Sequence, residues 1–136
     1  MPSYEWSKRY KVDIKEMDEQ HRKLFELINR LEEKAIAEKS EEAFNSVILE
    51  LIRYTQVHFG HEETLMRRFK YPRFAEHLDA HNRFVKDVSG YIDESRTDRI
   101  ATAQRLLSFL GDWIVNHIGT MDRKLAPFLR ERMEDV

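Results

Sequence analysis

The chain has no cysteine. That excludes a disulfide scaffold, thiolate zinc sites, iron–sulfur clusters, thioether-linked haem and thiol nucleophiles. Proline and glycine are scarce, 3 and 4 of 136 residues, against about 12% together in an average chain. Few turns and long helices follow. No run of 18 apolar residues occurs, so no membrane-spanning helix and no membrane partner are expected. The start, Met1 to Tyr10, is polar and mixed rather than signal-like, and a cytoplasmic location is the default. An excess of one charge is missing too. Lys and Arg total 23 against 25 Asp and Glu, a net charge of −2, which leaves no basic face for nucleic acid. A chain of this length closes one core, so residues 1–136 are read as a single domain, with a monomer as the default and an oligomer open.

Apolar periodicity supplies four helices. Residues 1–17 lack helical period and read as an extended N-terminal arm anchored by Trp6, Val12 and Ile14. Asp18 offers an N-cap, and Leu24, Phe25, Ile28, Leu31 and Ala35 place helix A at about 18–38. Ser40, followed by Glu41 and Glu42, caps helix B at about 41–70, which ends before Pro72. Helix C spans about 73–92, and Asp93 to Thr97 reads as a turn. Helix D spans about 98–125, with Pro127 breaking the pattern before a short terminal helix or tail, Phe128 to Glu134. Short connections make neighbouring helices antiparallel. The expected architecture is an all-α, up-down-up-down four-helix bundle.

What the chain does have is histidine, and five of the six fall on the apolar faces. His21 shares a stripe with Leu24, Phe25 and Ile28; His58 and Glu62 share one with Leu51 and Leu65. His77 and His81 lie with Phe74 and Phe84, and His117 with Leu110 and Ile114. A carboxylate on such a face needs a cation or a dense set of partners. His58/Glu62 and His77/His81 are four apart, so each pair projects from one helix face, one turn apart. In an up-down-up-down bundle the starts of A and C and the ends of B and D meet at one end. All six groups therefore converge at one depth, as metal ligands do and scattered core histidines do not. His61 falls off the stripe and reads as flanking; Glu63 and Asp18 read as solvated or capping.

Five imidazoles and a carboxylate exceed the four donors of tetrahedral zinc, and calcium or magnesium would take oxygen donors. Nitrogen and oxygen donors in this number suit a dinuclear transition-metal site, with iron the best fit. If Asp122 is a second bridging carboxylate, and an oxo or hydroxo group bridges too, the donors sum to eleven of the twelve positions of two octahedra. One position stays open for a small ligand. Asp122 is five residues after His117, however, and an ideal helix would point it about 140° away. The spacing therefore predicts a widened, π-type turn between them, with Gly119 easing it.

The pattern His58-Phe59-x-x-Glu62-Glu63, His77-x-x-x-His81 and His117-Ile118-x-x-x-Asp122, preceded by Asp18-x-Gln20-His21, resembles hemerythrin. More narrowly it is similar to the single-domain bacterial hemerythrins, over nearly the whole chain. The resemblance implies reversible O2 binding at a centre of two non-haem, oxo- or hydroxo-bridged iron ions, and a carrier or storage role rather than an enzyme. By similarity His77, His81 and His117 hold the saturated iron, His21 and His58 hold the iron with the vacancy, and Glu62 and Asp122 bridge. Leu24, Phe59, Trp113, Ile114 and Ile118 match the apolar O2 pocket; the same residues also read as ordinary core. A ferritin-like oxidase would need Glu-x-x-His on two helices, and no histidine here has Glu three residues before it. O2 or redox sensing, and peroxide or nitric oxide chemistry, remain alternatives for the same centre. A sensor would need an output module for which 136 residues leave no room, so the carrier reading leads.

Overall fold

The computed structural model describes residues 5–95 and 97–133. Tyr4, Arg96 and Glu134, which fall in the expected arm, turn and tail, lie outside these residues, as does the side chain of Ala35. The described chain is helical: α1 (Lys15–Arg30), α2 (Glu41–Arg68), α3 (Phe74–Glu94), α4 (Arg99–Asn116) and α5 (Arg123–Met133). α1 packs on α2, α2 on α3, α3 on α4, and α4 back on α1, which closes a four-helix bundle. The apolar stripes of all four meet in one core that includes Phe25, Ile28, Val47, Phe59, Phe84, Leu106 and Ile114. No described helix is long and apolar enough to cross a membrane.

Ser40 caps α2 as the sequence suggests, accepting from Ala43 N–H, and Asp98 caps α4, accepting from Ala101 N–H, each at 3.1 Å; both satisfy first-turn donors that no helix can pair internally. The start of α1 differs from expectation. The helix begins at Lys15, and its N-cap residue is Ile14, without a side-chain cap. Asp18 sits in the first turn, buried, and accepts from Val12 N–H at 2.8 Å and Asp13 N–H at 3.2 Å. It does not cap the helix; it ties the arm to it. Asp13 has φ 61°, the left-handed bend that aims these two amides at one carboxylate. The arm also makes a 3-10 turn, Lys8–Tyr10, and buries Tyr10, Val12 and Ile14.

Two wide-turn segments interrupt the α-helices. One continues α1 over Leu31–Ala37 and was not expected. The other, His117–Asp122, joins α4 to α5 and is the widened turn that the five-residue spacing requires. Gly119 is not what permits it. Its φ is not positive, it is exposed, and an added Cβ would meet nothing within 4 Å. Pro127 does not break the pattern either, because α5 runs through it. Proline removes one helical donor; both Pro127 and Arg123, whose carbonyl would have received it, lie on the solvent side. Val12, Ile14, Met17, Met66, Tyr71, Leu125 and Leu129 form a second small core under this end.

Candidate metal centre

Each helix of the bundle delivers its polar groups to one place. α1 brings His21, α2 brings His58 and Glu62, and α3 brings His77 and His81. The wide turn brings His117 and Asp122. All seven are buried, with Glu62, Asp122 and His21 at 0% exposure. An ideal helix would have sent Asp122 away from His117; the wide turn returns it, so that His117 Nε2 lies 3.2 Å from Asp122 Oδ1.

The two carboxylates are each shared between two groups of histidines. Glu62 turns Oε1 toward His58 Nε2 at 2.9 Å and His21 Nε2 at 3.9 Å. Its Oε2 faces His77 Nε2 at 2.8 Å, His81 Nε2 at 3.2 Å and His117 Nε2 at 3.9 Å. Asp122 does the same: Oδ2 is 2.8 Å from His21 Nε2 and 3.9 Å from His58 Nε2. Its Oδ1 is 3.3 Å from His77 Nε2 and 3.2 Å from His117 Nε2. Two overlapping donor sets result, Glu62/His77/His81/His117 and His21/His58/Glu62/Asp122, each with its ligand atoms within 4.8 Å of one another.

Several of these close atoms are not hydrogen-bonded. His21 Nε2, His117 Nε2, Glu62 Oε1 and both Asp122 oxygens are buried without a hydrogen-bond partner. They approach to near 3 Å but out of line for donation. Orphaned polar atoms in a core cost about 1–3 kcal/mol each. Glu62 Oε2 does bond His77 Nε2 at 2.8 Å and His81 Nε2 at 3.2 Å, but converging atoms left unpaired around them fit a metal pair.

The electrostatics agree. Burial pushes His21 down, but the Asp122 and Glu62 carboxylates outweigh it and raise it to about 9. His77 is likewise lowered by burial and raised by Asp122 and Glu62, to about 9; His117 reaches about 10 for the same reason. For His58, burial wins over Glu62, and its pKa is lowered. Burial pushes Glu62 up, yet His58, His117 and His21 hold it well below the usual carboxylate range. Asp122, pushed up by burial and by Glu62, is likewise held well below the usual carboxylate range by His117 and His21. In the metal-free chain, protons on histidine stand where cations would balance the carboxylates.

A ring of outer partners aims the imidazoles. His58 Nδ1–H donates to Gln20 Oε1 at 2.7 Å, and His81 Nδ1–H donates to Glu63 Oε2 at 2.9 Å. Both bonds aim Nε2 at the cluster, the nitrogen that would serve as ligand to a bound metal. Glu63 therefore is not a solvated residue. His61 is half-buried beside the cluster, with Nδ1 3.2 Å from Gln20 Nε2, and flanks the site as its register suggests. Of the residues matched to an apolar pocket, Leu24, Phe59, Ile114 and Ile118 are buried and Trp113 is half-buried in the same core. Phe59 stacks on His81 with centroids 3.8 Å apart, and Trp113 stacks on His117 at 4.4 Å.

A four-helix bundle with two overlapping nitrogen and oxygen donor sets in its core defines a class, the non-haem metal-binding helical bundles. The Hemerythrin HHE cation binding domain matches residues 12–129, and the chain belongs to the hemerythrin family. It is 31% identical over 124 residues to a bacteriohemerythrin of Clostridium acetobutylicum, covering 88% of this chain and 95% of that one. A bacteriohemerythrin of Stenotrophomonas maltophilia is 33% identical over 128 residues, 89% of this chain and 78% of the relative. A hemerythrin-like protein of Naegleria gruberi is 31% identical over 121 residues, 89% of each. The crystal structure of a hemerythrin mutant superposes with a TM-score of 0.80 and 27% identity, over 95% of this chain and 98% of that one. The hemerythrin domain binds a di-iron centre, and the family binds O2 there.

Proposed function

We propose that this chain binds O2 reversibly and carries or stores it, without turning it over. His77, His81 and His117 would hold one iron, His21 and His58 the other, and Glu62 and Asp122 would be shared between them. The observation that supports this most directly is the division of each carboxylate: one oxygen faces the three histidines, the other faces the two. Five neutral imidazoles and only two carboxylates give the pair less negative charge than a carboxylate-rich site would, which favours binding O2 over cleaving it.

When bound, the irons supply the electrons and the open coordination position that O2 needs. The protein does the rest. Gln20 and Glu63 lock the tautomers of His58 and His81. Phe59, Ile114 and Ile118 wall the cluster with apolar surface, excluding water and the anions that would displace bound O2. The test is a count and a titration: iron per chain, then the visible spectrum of the anaerobically reduced protein on adding and removing O2. About two irons and a reversible charge-transfer band are expected. Rapid irreversible oxidation would instead favour redox sensing or catalysis at the same centre.

A further inference from the structure

A cavity of about 250 Å³ opens between α2 and α3, away from the donor atoms. Leu51, Leu106 and Leu110 form its floor, Val85 and Val88 its α3 wall, and Phe59 and Phe84 the end toward the metal cluster. No charged side chain lines it among the described residues, although 35% of the chain is charged. Thr55, Gln56 and Ser89 supply its few polar atoms. Val85, on the rim, is 51% exposed. An apolar side chain half in the open marks the cavity's mouth.

Size and chemistry narrow the occupant. An ionic guest would be buried without a partner and is excluded. Apolar cavities of about 150 Å³ stay dry and bind benzene or xenon. The present one is larger, far more than O2 alone requires, and holds a guest of roughly ten non-hydrogen atoms on that scale. We propose that this cavity is a binding site for an uncharged, mainly apolar organic molecule, aromatic or short-alkyl, with at most one hydrogen-bonding group. The guest is sensed by the metal cluster through Phe59. That ring is a shared wall. It lines the cavity, and it lies against His81 with centroids 3.8 Å apart and planes 6° apart. Phe84, beside it at 5.5 Å, leads to Trp113 at 4.2 Å and so to the ring stacked on His117. A guest pressing on Phe59 therefore bears on two of the three histidines of one donor set. The guest site stands on the cavity alone; its effect on O2 rests on the function proposed above.

The experiment is calorimetric titration of the iron-loaded chain with phenol and 1-hexanol, with xenon as the gas control, alongside O2 dissociation curves. One saturable organic guest per chain is expected, with a several-fold shift in O2 affinity when it is bound. Val88→Phe and Ser89→Phe each fill the cavity without touching the donors, and should weaken the guest about tenfold or more at unchanged helicity and iron content. Failure of both organic probes to saturate overturns the proposal. So does binding of xenon alone, which makes the cavity a gas pocket, and so does guest binding that neither variant weakens. A guest that binds while O2 affinity and the iron spectrum stay fixed overturns the link through Phe59. A chain that takes phenol but no O2 keeps the guest site and sinks the oxygen-carrier reading.

Discussion

The two halves of the metal cluster are built differently. On the three-histidine side, the imidazoles pack against one another and against aromatic rings. His77 lies 4.7 Å from His81 and 5.0 Å from His117, Phe59 and Trp113 stack on His81 and His117, and Glu63 holds His81 from behind. On the two-histidine side, His21 and His58 meet each other at 4.7 Å, and the outer partner is the neutral amide of Gln20. One side is a rigid, aromatic-backed cage reinforced by a negative charge. The other has fewer donors and a softer support. A site meant to hold one metal closed and leave the other open would be divided this way, because the side with fewer protein ligands would keep a coordination position for a small ligand such as O2.

The largest effect should come from removing what the halves share. Glu62→Ala takes one oxygen from each side, leaves His58 and His77 without their nearest carboxylate, and removes the carboxylate that faces His81 Nε2. Iron should fall from about two per chain to less than about one, with a large loss of thermal stability in the loaded protein. Retention of two irons would mean the carboxylate is not a bridge. Next come the single-side losses. His77→Ala should empty the three-histidine side, and His21→Ala should weaken the other side while the first keeps its iron. Metal analysis with Mössbauer spectroscopy separates the two. Equal loss from both variants would erase the asymmetry.

The pH response of the metal-free chain is a third test. His21, His77 and His117 are raised above 6.5, to about 9, 9 and 10. Their contribution to stability is complete below 6.5 and is lost as pH rises through 9 to 10. Glu62 and Asp122 are held low, so their contribution is complete above the ordinary carboxylate range and is lost in acid. His58, lowered by burial, acts against folding below 6.5. The metal-free protein should therefore melt highest at about pH 5 to 6.5 and progressively lower toward pH 10. Metal uptake at pH 7 should release protons, seen in a weakly buffered titration with an indicator dye. A melting temperature flat from pH 6.5 to 10 would show that these histidines are not protonated in the folded apo state.

Much of this centre was legible in the residues, for a physical reason: spacing on a helix determines what faces inward. The pairs His58/Glu62 and His77/His81 needed only the 3.6-residue period. The five-residue step from His117 to Asp122 required a wide turn, and one is there. What stayed hidden came from other helices. Gln20 reaches His58 across 38 residues and Glu63 reaches His81 across 18, and no local pattern reports such partners. Asp18 looked like a cap because caps are local; its actual partners are amides of a folded-back arm. The wide turn at Leu31–Ala37 carries no chemistry-bearing residue pair whose spacing would demand it. Gly119 lies between the two ligands, but glycine's freedom is irrelevant to a turn whose φ angles any residue adopts.

The smallest expected effect bears most sharply on the difference between the halves. Glu63 places a carboxylate, 20% exposed, against His81 Nδ1, which makes that imidazole a stronger donor. Glu63→Gln keeps the shape and the hydrogen bond while removing the charge. It should speed chelator extraction of the iron on the three-histidine side by about tenfold, the lower end for loss of such a partner. Gln20→Glu tests the converse. It adds a charge behind His58 but gives up the amide that faces His61 Nδ1. If charge behind the imidazole sets retention, this variant slows release from the two-histidine side and narrows the gap between the irons. If the two variants leave both release rates unchanged while the fold is intact, the halves differ through packing alone. Phe59 and Trp113, rather than Glu63, would then be the residues that make one side closed.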